Sequence, residues 1–185
     1  MGSIRNKEIE NFKDLSLPML IDFISNAHHS YLRGVIKSFD VHFKTVRNVD
    51  CNTYPAGVAI SEKIIELKVL LEQHLYMEEE ILFPFIKTLN RAHKSPNKVE
   101  NTSILILKIK REHTSISELL SKLRTLSNDY TAASNAAPAL KLYYAQMFEL
   151  EQDILRHVFI EENFLFPKLK EYEKRMRSAK QIVRG

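Results

Sequence analysis

The sequence predicts an all-α protein folded as an up-down-up-down four-helix bundle. Only 4 Gly and 6 Pro occur among the 185 residues, which favours long helices with few tight turns. Apolar residues recur at the 3.6-residue spacing of a helix face in four long segments. A histidine-centred pattern also occurs twice, as expected if two similar helical hairpins pack together.

Each predicted element has a local signal. Ser16 is a suitable cap for the first helix, and Pro18 is tolerated in its first turn. Polar or turn-forming stretches separate the helices, at residues 51–57, 91–101 and 128–135. The chain is therefore predicted to be one domain, 1–185, that ends in a basic tail at 176–185. The four predicted helices span residues 17–48, 58–90, 102–127 and 136–173.

Composition excludes several classes of protein. The single Cys51 excludes a disulfide framework and a cysteine-based metal site within one chain. No apolar run approaches the ~20 residues of a membrane span, and the polar N-terminus lacks a signal-peptide core, so we expect a cytoplasmic protein without membrane contact. The net charge of +4 comes largely from the tail and the 91–98 stretch. Without a Gly-rich loop or stacking aromatic cluster, it does not predict specific nucleic-acid binding.

A His-x-x-x-Glu pattern occurs at His74–Glu78 and again at His157–Glu161. Each copy is followed by Leu-Phe-Pro, with the Pro ten residues after the His. Residues four apart project from the same face of a helix, and in both copies this face is the apolar one. An unpaired charge in an apolar interior is costly. A bound metal ion is the interpretation that this pattern favours.

Two more histidines occupy matching positions in the first and third helices. The spacing from His29 to His74 is 45 residues, and that from His113 to His157 is 44. With a rise of ~1.5 Å per residue, all four histidines reach about the same level of an up-down-up-down bundle. His28 lies nearer the centre of the apolar stripe of its helix, whereas the internal repeat favours His29. The predicted metal ligands are His29, His74, Glu78, His113, His157 and Glu161.

This set suits two metal ions better than one. Six nitrogen and oxygen ligands are too many for one tetrahedral zinc ion, and carboxylates suit harder ions. Two ions bridged by both carboxylates, each with two histidines, fit the count; iron is favoured over manganese or zinc. Asp153 is positioned to accept an imidazole N–H, whereas Glu79, Glu80 and Glu162 lie off the stripe and are expected in solvent. The alternative is a metal-free, hydrogen-bonded polar core.

These residues resemble the hemerythrin-like HHE cation-binding domain, and more narrowly the RIC di-iron proteins, named for repair of iron centres. The resemblance covers roughly residues 18–172 and implies two oxo- or hydroxo-bridged irons on the six predicted ligands, with both glutamates bridging. It also implies restoration of iron–sulfur clusters damaged by nitric oxide or oxidants. The residues that carry the resemblance are His28-His29-Ser30-Tyr31-Leu32-Arg33, His74 with Glu78-Glu79 and Leu82-Phe83-Pro84, Arg111-Glu112-His113, Asn128-Asp129-Tyr130, Glu151-Gln152-Asp153, and His157 with Glu161-Glu162-Asn163-Phe164-Leu165-Phe166-Pro167.

The chain also departs from that family. Family members usually carry a small N-terminal domain with a cysteine, which we expect to be absent here, and a further His where this chain has Asp50. Oxygen-carrying hemerythrins have a histidine at the position of Ser117, so reversible oxygen carriage is disfavoured. The alternative function is binding or sensing of O2, NO or iron without catalysis. The expected partners are these small molecules and damaged iron–sulfur proteins, with the chain a monomer or homodimer.

Overall fold

The computed structural model describes residues 12–47, 56–91 and 100–184. Over these ranges it is built of long helices without a β-strand, and the predicted all-α helical bundle is confirmed. Three of the four helices contain a short π-helical segment within a longer α-helix. Helix α1 comprises Leu17–Phe23, Ile24–His29 (π) and Ser30–Arg47; α2 comprises Gly57–Tyr76, Met77–Leu82 (π) and Phe83–Arg91; α3 is Glu100–Leu126; and α4 comprises Pro138–Ile160, Glu161–Leu165 (π) and Phe166–Arg184.

The helix ends follow the local sequence. Ser16 Oγ accepts a hydrogen bond from the backbone N–H of Met19 at 3.5 Å, as expected of the predicted cap. The last helix starts at Pro138 and continues to Arg184, past its predicted end at 173. The basic segment expected to be a tail is helical because it lacks Gly and Pro before Gly185 and consists largely of Met, Ala, Lys, Arg and Gln, which favour helix. The predicted connectors at 51–57 and 91–101 lie mostly outside the described residues.

The helices pack around two apolar clusters. Helix α2 packs against α3, and α1 packs against both α2 and α4. The first cluster includes Leu32, Leu71 and Leu150, and the second includes Leu20 and Phe166. On every helix the members of the two clusters lie on opposite sides of the histidine positions, except that Leu75 of the first cluster directly follows His74. A buried polar layer therefore separates two apolar halves of the bundle.

No helix within the described ranges has both the length and the apolar character that crossing a membrane requires.

All three π-helical segments lie at this polar layer. In each, a backbone N–H bonds to the carbonyl five residues earlier, as Phe83 does to Glu78 and Phe166 to Glu161. Pro84 and Pro167 follow immediately, and each helix continues through its proline. Proline has no N–H and its ring crowds the carbonyl four residues back, so the wider π turn accommodates it. π-Helical turns are frequent at functional sites, which directs attention to this layer.

The corner between α3 and α4 contains an unusual backbone. Asn128, Asp129 and Tyr130 have φ values of 51°, 54° and 55° and form a short left-handed turn. For non-glycine residues this conformation costs about 1–2 kcal/mol each. Arg124 stabilises the turn by donating to Asp129 at 3.1 Å and to Glu151 of α4 at 3.0 Å. The guanidinium of Arg124 therefore links this corner to helix α4.

We expect Arg124→Met to lower the free energy of unfolding by about 2 kcal/mol, because it leaves the buried Glu151 carboxylate without its cationic partner. Methionine retains the apolar stem of the side chain, so the effect isolates the charge and its hydrogen bonds. Urea unfolding of the metal-free protein measures it. Arg111→Met, on the exposed face of the same helix, is the matched control and should stay within about 0.5 kcal/mol of the wild type. Equal losses in the two variants would contradict this role of Arg124.

Candidate metal centre

Six side chains from the four helices meet in the polar layer. In each of two overlapping groups, the ligand-type nitrogen and oxygen atoms all lie within 4.8 Å of one another. Glu78 and Glu161 belong to both groups, and their side chains are fully buried. The six are those expected from the sequence. One group is His29, His157, Glu78 and Glu161, and the other is His74, His113, Glu78 and Glu161.

Each glutamate lies between histidines of different helices. Glu78 Oε2 lies 3.2 Å from Nε2 of His29 and 3.5 Å from Nε2 of His74. Glu161 Oε2 lies 3.1 Å from Nε2 of His113, while its Oε1 lies 2.6 Å from Nε2 of His157. The two carboxylates thus occupy the positions shared by the two groups. This is the arrangement that bridging ligands have.

Several potential metal-ligand atoms in the layer have no hydrogen-bond partner among the described residues, because the close contacts of 3.1–3.5 Å between them lack hydrogen-bond geometry. They include both carboxylate oxygens of Glu78, Oε2 of Glu161, and Nε2 of His74 and of His113. Leaving such a buried group unsatisfied costs about 1–3 kcal/mol, and more when it is charged. The unsatisfied atoms are all metal-ligand types and converge on a common space. The residues present therefore fit a bound cation better than a hydrogen-bonded polar core.

The ionisable groups in the layer strongly shift one another's pKa. Burial favours the neutral acid, but the neighbouring imidazoles, His74 foremost, hold the pKa of Glu78 well below its ordinary value. Burial also opposes the charged form of His157, yet the charge and hydrogen bond of Glu161 and the contact with Glu78 raise its pKa to about 10. Without metal, the layer therefore contains imidazolium and carboxylate groups. A cation bound here would take the place of these protons, because an imidazole must be deprotonated to bind a metal ion.

In three of the imidazoles, Nδ1 is hydrogen-bonded to a carboxylate of a second set. His29 Nδ1 donates to Glu79 at 2.8 Å, and His113 Nδ1 donates to Glu162 at 3.0 Å. His74 Nδ1 makes a longer bond of 3.4 Å to Glu112. A carboxylate at Nδ1 fixes the tautomer and directs the Nε2 lone pair to the metal side, as is typical of metal-binding histidines.

The two hairpins of the bundle repeat this arrangement. In each, the residue after the buried glutamate reaches across to the histidine of the preceding helix. Glu79 is held in turn by Arg33 of α1, and Glu162 by Lys110 of α3 at 3.1 Å. Burial opposes the charged form of Glu162, but its bonds to His113 and Lys110 lower the pKa of this carboxyl.

The prediction that Glu79 and Glu162 lie in solvent is wrong. Both side chains are partly buried against a histidine, whereas Glu80 is exposed as expected. The π-helical segments that contain Glu79 and Glu162 differ from the regular α-helix on which the prediction relied. The repeated Glu-Glu pair in both motif copies was the signal that could have revealed their role. Glu112 was missed as a partner because it precedes His113, outside either motif copy.

His28 lies beside the layer and belongs to neither group. Its Nδ1 donates to Asp153 at 2.8 Å, so Asp153 does accept an imidazole N–H, as the sequence suggested. Of the two adjacent histidines, it is His29 that reaches the shared space. The side chains of His42 and His93 and the position of Asp50 lie outside the described residues.

Comparison with known proteins agrees with this geometry. Residues 21–169 match the family model described as the hemerythrin HHE cation binding domain. Over 158 residues the chain is 27% identical to the iron-sulfur cluster repair protein ScdA of Staphylococcus haemolyticus, covering 85% of this chain and 69% of that protein. Over 164 residues it is 29% identical to the iron-sulfur cluster repair protein YtfE of Yersinia pseudotuberculosis serotype O:1b, covering 86% and 68%.

A probable iron-sulfur cluster repair protein of Haemophilus influenzae is 26% identical over 168 residues, covering 89% of this chain and 72% of that protein. The matched segment of the family model contains the whole buried layer, from His29 to Glu161. The resemblance inferred from the sequence is thereby confirmed. Given this match and a buried set of side chains that could hold a cation, the chain belongs to the hemerythrin HHE cation-binding domain family.

Proposed function

We propose that this chain is a non-haem di-iron protein that repairs iron–sulfur clusters under nitrosative or oxidative stress. The observation that carries the proposal is the convergence of unsatisfied, fully buried nitrogen and oxygen donors from four helices. The names of the relatives, which are iron-sulfur cluster repair proteins, support the repair role. A cytoplasmic location and a monomeric or homodimeric state belong to the same proposal.

In this proposal His29 and His157 would hold one ion, and His74 and His113 would hold the other. Glu78 and Glu161 belong to both groups and would be available to both ions. The mixed nitrogen and oxygen set favours iron, with manganese or zinc as weaker candidates. With four protein ligands each, the ions would remain open to small molecules such as O2 or NO. When bound, the irons supply the redox and Lewis-acid chemistry of the centre.

The protein's own contribution is to orient the six ligand side chains and to keep bulk water away from them. Glu79, Glu112 and Glu162 fix three of the imidazole rings from outside. The apolar clusters on both sides of the layer keep bulk water away, which strengthens electrostatic interactions inside it. Such a centre binds small molecules but is too enclosed to admit a protein. A damaged iron–sulfur protein therefore interacts with the outside of the bundle.

The first experiment is metal analysis of protein purified without added iron, together with its optical spectrum. Two irons per chain with near-ultraviolet absorption of an oxo bridge are expected. Repair is then tested by incubating the loaded protein with a nitric-oxide-damaged iron–sulfur enzyme and following recovery of its cluster spectrum. Recovery that requires the loaded protein supports repair. Binding of NO or O2 without recovery would instead indicate sensing, and no bound transition metal after anaerobic Fe(II) addition would reject the proposal.

The carboxylates that accept the Nδ1 protons of the imidazoles are expected to set the affinity of the centre for iron. Glu79→Gln and Glu162→Gln each replace a charged acceptor by a neutral one, so the imidazole ligand becomes less basic and less firmly held. We expect each to weaken iron binding by about 10–100-fold without changing the final stoichiometry. Competition with a chromophoric chelator measures the affinity.

Glu80→Gln is the matched control, because it removes the same charge from an exposed position of the same helix segment. Its iron affinity should equal that of the wild type. If all three variants weakened binding equally, the effect would arise from net charge, and the assigned hydrogen bonds would have no specific role.

A further inference from the structure

The outward face of α4 presents a row of large apolar side chains. Phe148, Leu155 and Phe159 are 45%, 42% and 43% exposed, and these three residues form the α4 stripe. They are seven and four residues apart within the regular helix Pro138–Ile160, so all three project from one side of it over a length of about 17 Å. Single exposed apolar residues are normal on a protein surface, whereas an aligned set of large ones marks a surface that another molecule covers.

The spacing of the α4 stripe is that of helices that pair with one another. Intervals of seven and four residues separate the apolar positions of a coiled coil, and exposed Gln152 completes the row between Phe148 and Leu155. In an antiparallel pair of α4 helices centred midway between Gln152 and Leu155, Phe148 lies level with Phe159 of the second copy. Gln152 then lies level with Leu155, and a two-fold axis produces each contact twice. The stripe is therefore complementary to itself.

The charged residues beside the stripe fit the same pairing. Glu149 and Arg156 are exposed, lie on the same flank of the stripe and are seven residues apart. In the antiparallel pair, Glu149 of each copy comes within reach of Arg156 of the other, which gives two ion pairs. In a parallel pair, equal residues share a level, and the opposite charges lie about 10 Å apart along the axis. Because charges that flank a seam set the choice and orientation of the partner, the pattern favours a second copy in the antiparallel orientation.

A comparable row on α2 does not have this complementarity. Its exposed apolar members also recur at intervals of seven and four residues; they are Val58, Ile65, Val69 and Tyr76. Exposed Glu62 and Glu72 occupy the remaining positions of that row. An antiparallel pair of α2 helices that aligns Ile65 with Val69 would bring Glu62 level with Glu72 of the second copy, and like charges brought together oppose binding. Charge therefore distinguishes two rows that are equally apolar.

We propose that the outward face of α4 is the interface of a symmetric homodimer. In this dimer Phe148 of each copy packs against Phe159 of the other, and Glu149 pairs with Arg156. The inference goes beyond the proposed function, which leaves monomer and dimer open, and it does not depend on the metal ions. The stripe is short compared with a standard protein interface, so the dimer is weak and its population depends on concentration.

Sedimentation equilibrium of the protein over a range of concentrations measures this association. Phe148→Lys and Phe159→Lys are each expected to weaken it by at least about 10-fold, because one substitution alters both symmetry-related contacts. Val69→Lys is the matched control, since this residue is 46% exposed in the row on α2, and its association should equal that of the wild type. Far-ultraviolet circular dichroism confirms that each variant is folded.

Charge reversal tests the antiparallel orientation. Glu149→Arg and Arg156→Glu each place like charges opposite one another, and each should weaken self-association by about 3–10-fold. The double variant restores opposite charges and should regain the association of the wild type. An equimolar mixture of the two single variants should form a heterodimer more readily than either variant forms a homodimer, because only in the mixture are both charge pairs matched.

A wild type that stays monomeric at every concentration would overturn the inference. So would a dimer that Val69→Lys disrupts and Phe148→Lys leaves intact, because the interface would then lie on α2. If monomeric wild type repaired the damaged enzyme and Phe148→Lys did not, with iron content unchanged, the stripe would bind the enzyme and not a second copy. Iron content is measured separately, so a wild type without iron rejects the proposed function while the association still decides this inference.

Discussion

Glu161→Gln is expected to abolish binding of both iron ions, and Glu78→Gln is expected to do the same. Each carboxylate belongs to both groups of ligand atoms, so its loss removes a donor and a negative charge from each position at once. Glutamine has the shape of glutamate but is neutral and binds hard cations poorly. Iron per chain, measured after anaerobic loading and desalting, should fall from two to nearly none.

His74→Gln is the informative comparison, because His74 belongs to only one group. It should lower the iron content toward one ion per chain and leave the His29 and His157 position filled. Far-ultraviolet circular dichroism confirms that each variant is folded. If Glu161→Gln lost a single ion, as His74→Gln does, the carboxylates would be terminal ligands and the shared arrangement would be incorrect.

The fold and the six-residue layer could be predicted because both follow from spacing along regular helices. His74 and Glu78 share a face whatever the partner helices do, and matching depths bring His29 and His113 to the same level. The internal repeat also distinguished His29 from His28, although the apolar stripe of α1 favoured the latter. Periodicity and repetition were sufficient where the helix stayed regular.

The parts that could not be predicted depend on departures from the regular helix. Glu79 and Glu162 reach their histidines from π-helical segments, whose position cannot be derived from a 3.6-residue period. The left-handed turn at 128–130 is joined to α4 by Arg124, which donates to Glu151, and this tertiary contact cannot be derived from the spacing along one helix. These contacts link residues far apart in sequence: the repeated Glu-Glu pair marks two of the carboxylates, but only the folded structure shows which histidine each of them meets.

Removal of the metal ions is expected to lower the melting temperature by about 8–16 °C. The metal-free layer keeps fully buried carboxylates and imidazoles in the middle of the bundle, where burial opposes every charged form. A ligand at about a thousandfold excess over its dissociation constant stabilises the folded state by about 4 kcal/mol. For a domain of this size each kcal/mol corresponds to about 2–4 °C. Differential scanning calorimetry of loaded and chelator-treated protein gives the shift.

Glu161→Gln separates this effect from general salt stabilisation. Because the variant is expected to bind no iron, its melting temperature should not respond to Fe(II) at concentrations that saturate the wild type. The Arg124→Met variant, whose substitution lies away from the layer, should retain the full metal-dependent shift from a lower starting temperature. If loaded and metal-free wild type melted within about 2 °C of each other, the metal would contribute less than about 1 kcal/mol to folding. The buried layer would then be stabilised by its own imidazolium and carboxylate pairs, and the ions would be dispensable to the fold.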